Sequence, residues 1–211
     1  SLQYSKLSKI RSSKHQIFPE PHLEKYIVAP CLLINLLSQK NTVNVLDHCG
    51  GTGVTFHNIS PYLFFPKNVN WSVFDDSPTL TEIGRKYLKN LNLTSSNNMK
   101  LEFLTNLSDA KSKFDIIYVN TSVQYYINYQ KTIEDLMKFQ PQYFIFTRLL
   151  SGEGKTFICS QTLHGKQTPC RFINFIEFCE FFKKNEYELM FKSPVEDEIP
   201  QFKDVPKQYE I

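Results

Sequence analysis

Asp47, Gly50, Gly51 and Gly53 stand close together at the end of the short run Val43-Asn44-Val45-Leu46. The whole chain has only seven glycines, and three of them fall between positions 50 and 53. Glycine is costly unless the backbone must turn sharply or let another group approach it closely. A strand that ends in an acid and then sheds its side chains therefore reads as a cradle for a nucleotide-type cofactor. Backbone N–H groups opening the helix behind such a loop favour an anionic group.

Two cofactor classes compete for a loop of this kind. Dinucleotides call for G-x-G-x-x-G, in which the third glycine lets helix and strand pack closely. Counting from Gly51 and Gly53, that third position is Phe56, a large aromatic, which disfavours a nicotinamide or flavin dinucleotide and the oxidoreductase reading with it. The other pattern is two apolar residues, an acid, and then three alternating glycines. Val45-Leu46-Asp47-His48-Cys49-Gly50-Gly51-Thr52-Gly53 resembles it, with Cys49 where the first glycine is usual. That pattern marks the class I S-adenosylmethionine-dependent methyltransferases.

The resemblance implies roles for individual residues. The loop, with Asp47, Cys49, Gly50, Gly51 and Gly53, would take the methionyl end of the cofactor, its carboxylate on backbone N–H groups and its ammonium toward Asp47. Asp75, which ends the second apolar run Trp71–Phe74, fits the acid that accepts from ribose hydroxyls, with Asp76 as its solvated neighbour. After the third strand the adenine partner falls on Asn106, an amide where an acid is common and equally at home in a plain turn.

The second half is similar to a family of methyltransferases associated with surface-polysaccharide (O-antigen) gene clusters, over most of the stretch from Val43 to Pro200. The first loop of that family reads D-x-G-G-G-x-G, from which Cys49 departs. Trp71, Val73, Phe74 and Asp75 follow its second strand, and Ser122-Val123-Gln124-Tyr125 its recurring S-hydrophobic-Q-Y. Thr147-Arg148, Phe157, Gln161, Pro169, Arg171, Phe172, Asn174, Tyr187-Glu188-Leu189 and Ile199-Pro200 continue the series. What this implies is a fold and S-adenosylmethionine as cofactor; the acceptor expected is a small molecule or glycan, a sugar hydroxyl above all.

Methyl transfer from a sulfonium is an in-line displacement in which the cofactor supplies the reactive carbon. The protein aligns donor and acceptor, and a hydroxyl acceptor gains from a general base. The loops after the fourth and fifth strands should supply these groups. Asn120 and Gln124 are candidates for the cofactor wall, and Arg148, Gln161 and Arg171 for the acceptor, where an arginine suits a carboxylate or phosphate. His164 is the default base, with Tyr125 and Arg148 as the other candidate catalytic groups. His48 and His57 flank the glycine loop and are read as packing or hydrogen-bonding locally rather than catalysing. No metal-binding spacing appears. Cys49, Asn106 and the lack of an obvious base keep a second reading open, a cofactor-binding module that has lost catalysis and serves regulation or scaffolding.

The elements that must hold these groups are legible in the apolar spacing. Residues 1–21 are polar and basic (Lys6, Lys9, Arg11, Lys14) and read as an arm, leaving 22–211 as a single domain. His22–Gln39 has helical spacing through Leu23, Ile27, Leu32, Leu33, Leu36 and Leu37, with Pro30 expected to break or kink it. Strands are expected at 43–47, 71–74, 101–104, 114–119 and 143–146, with Tyr187–Phe191 and the residues near Phe157–Ser160 as a final antiparallel pair. Ser77-Pro78 reads as a helix N-cap with proline at the first position, and Asn174 with Glu177 as a capping box. The alternation predicts an α/β protein, a Rossmann-like three-layer sandwich whose mainly parallel seven-stranded sheet carries an antiparallel C-terminal strand.

Composition bounds the rest. The 211 residues can bury a proper core. A net charge of +3 without a long basic stripe gives no support for nucleic acid binding. The most apolar run, Ile27 to Leu37, is too short to span a bilayer. Five scattered cysteines without Cys-x-x-Cys spacing read as reduced thiols of a cytoplasmic protein rather than a disulfide framework or zinc site. Oligomeric state has no signature.

Overall fold

A computed structural model describes residues 21–90, 99–110, 113–163, 165–193, 202–203 and 205. The expected basic arm therefore lies outside the described residues apart from Pro21, as do His164 and Ile199-Pro200. The chain divides into two compact units. One draws on residues up to Asn120 together with Leu136–Thr147, the other on Thr121–Asp135 and the residues from Arg148 onward.

The first unit opens with helix α1 (Pro21–Ser38), which continues past Pro30 instead of breaking there. Proline removes one N–H from the helical ladder, and packing outweighs that loss. Ile27, Cys31 and Ile34 form a core stripe at helical spacing and are all buried. Leu32 and Leu36, expected on the same face, lie outside it and are exposed. Asn35 interrupts the apolar run for a structural reason. Its amide donates to the Tyr62 carbonyl at 2.9 Å and accepts the Phe64 N–H at 2.7 Å.

Five strands follow: β1 (Val43–His48), β2 (Val69–Phe74), β3 (Lys100–Leu104), β4 (Ile116–Asn120) and β5 (Tyr143–Thr147). Between them in chain order lie α2 (Val54–Ile59), α3 (Pro78–Asn90) and α4 (Tyr129–Met137), of which α4 belongs to the second unit as far as Asp135. All pairings are parallel and the order is β3-β2-β1-β4-β5, a Rossmann-like arrangement. Val45, Leu46, Val73, Ile116 and Ile117 are fully buried, which fits strands with both faces covered. The strand order reverses between β1 and β4. In open α/β sheets the crevice at the carboxyl ends beside such a reversal is where ligands bind.

In the second unit, β6 (Ser151–Gly152), β7 (Phe157–Leu163), β8 (Lys166–Asn174) and β9 (Phe202–Lys203) form a separate sheet in the order β6-β8-β7-β9. The described strands thus divide five and four, in place of one seven-stranded sheet. Phe157–Leu163 does pair antiparallel, but with Lys166–Asn174 and not with Tyr187–Phe191. The latter stretch forms no strand, and Leu189, Met190 and Phe191 are exposed. Helix α5 (Phe175–Lys184) is capped as expected, the Asn174 side chain accepting the Glu177 N–H at 2.9 Å.

Candidate functional site

The loop after β1 turns by left-handed backbone. Gly51 and Gly53 have φ of 59° and 78°, values glycine adopts without penalty. Cys49 has φ of 58°, although it carries a side chain. The position where the resembling family has glycine is therefore one where this chain keeps the glycine conformation and bears its strain. Gly50 is required for a different reason. A Cβ there would sit 2.6 Å from Asp47 Cγ and 2.9 Å from Val73 Cγ1.

Asp47 is the unusual group of this edge. It is fully buried at the end of the central strand, and neither carboxylate oxygen has a hydrogen-bond partner among the described residues. Burial pushes its carboxyl up to about 7. The Asp75 charge adds to the rise, while Trp71 and Thr55 stand near enough to oppose it without a well-formed bond to either oxygen. Next to it, burial pushes the His48 imidazole down to about 4, against the pull of Asp75. His48 is thus neutral at physiological pH, tilted against the Phe74 ring with centroids 5.4 Å apart. His57 packs edge-on between Phe56 and Tyr87. Both histidines thus make local ring contacts, and His48 Nδ1 also lies 3.5 Å from the Cys49 sulfur.

Asp75 follows β2, half-buried, while Asp76 is exposed. Its Oδ2 accepts the Gly51 N–H at 2.9 Å and its Oδ1 the Ser77 N–H at 2.8 Å. Ser77 caps α3 through its hydroxyl, which accepts the Leu80 N–H at 3.4 Å. The acid therefore joins the glycine loop to the start of α3. Asn106 is exposed and caps a single 3-10 turn, its N–H donating to Asp109 Oδ2 at 3.2 Å.

At the ends of β4 and β5, which pair Asn120 with Thr147, a relay of hydroxyls is fixed. The Thr147 hydroxyl donates to Asn120 Oδ1 at 2.9 Å. Its oxygen lies 2.8 Å from the Tyr118 hydroxyl, which must then be the donor to it. The next residue on each strand, Thr121 and Arg148, has φ of 55° and 56°. Three non-glycine residues that directly follow the carboxyl ends of β1, β4 and β5 are thus left-handed, a concentration of strain typical of functional edges.

The candidate groups of the second unit cluster around a 3-10 turn at Val123–Tyr125. Gln124 is buried, and its Oε1 has no partner among the described residues. The Tyr125 hydroxyl donates to Gln161 Oε1 at 2.6 Å. Burial pushes this phenol above its ordinary range, and Cys170 and Cys159 act the same way, while Gln124 and the Arg148 charge oppose them. Arg171 gives one amine to the Tyr126 carbonyl at 2.8 Å and another to that of Ile127 at 3.0 Å, with its guanidinium 5.7 Å from the Tyr129 ring centre. It lines an open cleft of about 460 Å³ with Ile127, Asn128, Tyr129 and Gln130. Arg148 itself is exposed. The described structure thus joins Tyr125 to Gln161 and places Arg171 at a cleft.

One residue of this edge escaped the sequence reading. A Cβ on Gly84 of α3 would lie 2.5 Å from the Phe103 ring and 3.1 Å from the Thr52 carbonyl oxygen. Close approach of helix and loop, supplied in dinucleotide folds by the third glycine of the motif, is here supplied from the next helix. The signal was present, since an isolated glycine within a helical pattern usually has a packing reason.

No protein-family model and no curated protein matches the chain. Solved structures do. They include PKMT2 from Rickettsia typhi in complex with AdoHcy, 26% identical over 54% of this chain and 23% of that one, with a TM-score of 0.41. Two further examples are S-adenosylmethionine-dependent methyltransferases from Clostridium acetobutylicum and Aquifex aeolicus. Each is 14% identical over 85% of this chain and 86% of its own, with TM-scores of 0.49 and 0.47. The chain spans about a quarter of the length of the Rickettsia typhi protein.

Proposed function

We propose that this chain is an S-adenosylmethionine-dependent methyltransferase, acting in the cytoplasm on a small-molecule or glycan acceptor, a sugar hydroxyl above all. The observation that carries the reading is Asp47, a buried acid without a hydrogen-bond partner among the described residues, held against Gly50, where a Cβ would collide with it. A buried carboxylate is stabilised by a cation, and the ammonium of the cofactor's methionyl end is one. A dinucleotide would instead bring a pyrophosphate to a loop that already carries an acid.

The residues fit the group. Asp47 would hold the ammonium, and Asp75 would accept from ribose hydroxyls, since a carboxylate accepts about four bonds and two are used here. Cys49, Gly50, Gly51 and Gly53 shape the backbone around the cofactor, and Asn106, Asn120 and Gln124 contribute amides to the rest of it. When bound, S-adenosylmethionine supplies a methyl carbon made electrophilic by the sulfonium.

On the acceptor side, Tyr125 stays protonated, because its environment pushes its ionisation above the ordinary range, and with its proton given to Gln161 its oxygen is left to accept from an acceptor hydroxyl. Arg148 and Arg171 neutralise an anionic part of the acceptor, such as the phosphate of a nucleotide sugar. His164 is the base for the hydroxyl proton. The sugar acceptor and a role in polysaccharide biosynthesis rest on the resemblance to the methyltransferases of surface-polysaccharide clusters.

Titration calorimetry with S-adenosylmethionine, S-adenosylhomocysteine and NAD tests the cofactor. Binding of NAD and of neither sulfur compound overturns the reading. Release of S-adenosylhomocysteine with nucleotide sugars and surface-glycan fragments tests the acceptor. The commitment of the Tyr125 hydroxyl to Gln161 favours a second reading, a cofactor-binding module without turnover. Tight cofactor binding with no acceptor-dependent release across that panel is its signature.

A further inference from the structure

Cys159 on β7 and Cys170 on β8 are directly opposed across the antiparallel ladder, with their sulfurs 3.4 Å apart. Both are reduced and almost fully buried, at 3% and 2% exposure. Opposed residues on antiparallel strands have Cα atoms about 4.5–5.5 Å apart, inside the window of about 4.4–6.8 Å that a disulfide bridges. Bonding the sulfurs needs them to close to about 2.05 Å, a movement within reach of side-chain rotation.

We propose that Cys159 and Cys170 form a modification site, a dithiol that a hydroperoxide converts into a cross-strand disulfide. With hydrogen peroxide as oxidant, the first sulfur attacks one oxygen, the O–O bond breaks, and a sulfenic acid and one water result. The second sulfur then attacks the first, the S–O bond breaks, and a second water leaves. Two thiols are oxidised by two electrons and one peroxide is reduced. The balance closes with no other reactant.

The surroundings suit a site that is quiet at rest and specific when it reacts. Burial, with the hydrogen bond and charge of Cys159, pushes the Cys170 thiol up to about 12, so it stays protonated at neutral pH. Oxidation is correspondingly slow, since the thiolate is the nucleophile. The reactive neighbour is fixed in place, because the next rung on the same face of the ladder, two residues along each strand, is the stacked pair Phe157 and Phe172, with ring centres 5.0 Å apart and planes 11° from parallel. The outer edge of β7 is paired with β9 at Ser160 and Gln161. Local opening of that edge admits an oxidant scarcely larger than water. Gln161, two residues along the same strand, holds the Tyr125 hydroxyl. A bridge two rungs away therefore bears on a residue assigned above to the acceptor.

The test is native oxidation of the full chain with hydrogen peroxide, quenching by alkylation in denaturant, and peptide mass mapping. The expected result is a Cys159–Cys170 linked peptide lighter by two hydrogens, formed in clear excess over any link through Cys31, Cys49 or Cys179 and reversed by dithiothreitol. The same treatment of the unfolded chain should lose that preference by tenfold or more. A Cys49→Ser variant, which removes a half-exposed thiol, should give the same linked peptide, and Cys159→Ser should give none. A product distribution that is the same in folded and unfolded chains, or a folded chain whose Cys159 and Cys170 stay fully alkylatable after Cys49 has oxidised, overturns the proposal.

Discussion

Asp75 Oδ2 accepts the backbone N–H of Gly51 at 2.9 Å, so the acid after the second strand also fixes the loop after the first. Its other oxygen, on the Ser77 N–H, ties the same carboxylate to the start of α3. Hydrogen bonds to charged groups contribute about 1.5–3 kcal/mol each, and this acid is half-buried. We expect Asp75→Ala to lower stability by about 2 kcal/mol in denaturant titrations and to weaken S-adenosylmethionine binding at least tenfold. Unchanged affinity in calorimetry removes Asp75 from the cofactor site. Loss of stability alone leaves it as a loop tie.

Cys49 holds a glycine conformation at φ 58°. Left-handed backbone costs a non-glycine residue about 1–2 kcal/mol, while glycine loses part of that gain to unfolded-state entropy. Cys49→Gly should therefore stabilise the protein by about 0.5–1 kcal/mol, and Cys49→Val, β-branched, should destabilise it by more than that. Equilibrium urea unfolding of the two variants checks both signs.

Asp47 and His48 give the stability a worked pH dependence. The native carboxyl, raised to about 7, binds more protons than the unfolded one above the ordinary carboxylate range, so this group costs stability as pH rises toward 7 and through it. The native imidazole, lowered to about 4, binds fewer than the unfolded one up to about 6.5, so it costs stability as pH falls through that interval. The two oppose each other below about 6.5, and Asp47 alone acts above it. Urea midpoints measured from pH 6 to 8 should fall in the wild type more steeply than in Asp47→Asn. Cofactor affinity should move the other way, weakening about tenfold per pH unit once Asp47 protonates below 7.

Gly84 is packed without room for a methyl group. Overpacking costs about 1–3 kcal/mol, and alanine returns about 1 kcal/mol of helix propensity. Gly84→Ala should thus lose about 1 kcal/mol net, and adding Phe103→Leu, which trims the obstructing ring, should make the alanine less costly. A double-mutant cycle reads the coupling directly.

The parallel half of the fold was legible because it obeys short-range rules. Val43–Asp47 announces itself by an apolar run that stops at a glycine loop, and Ser77-Pro78 and Asn174 announce helices by their caps. The second sheet is less legible because its strands pair with each other around a single glycine, Gly165 at φ 77°, without the paired turn residues that advertise a hairpin. Pro30 misled because burial of one helix face outweighed a local penalty. At the site, residue types gave Asp47 and Asp75 their places. They could not give the left-handed backbone at Cys49, Thr121 and Arg148, since none of these is a residue that advertises it. Nor could they show that Tyr125 and Gln161, 36 positions apart, are bonded.

The parallel sheet is complete at Thr147, and every ladder in it joins strands that precede that residue. On a ribosome, where domains fold as units while the chain is still emerging, the edge that carries Asp47 and Asp75 can form before β6 to β9 have been synthesised. The cofactor reading then has a temporal consequence. S-adenosylmethionine can meet its cradle on a nascent chain and bias that half toward the folded state, so ligand present during translation raises the yield of the whole protein.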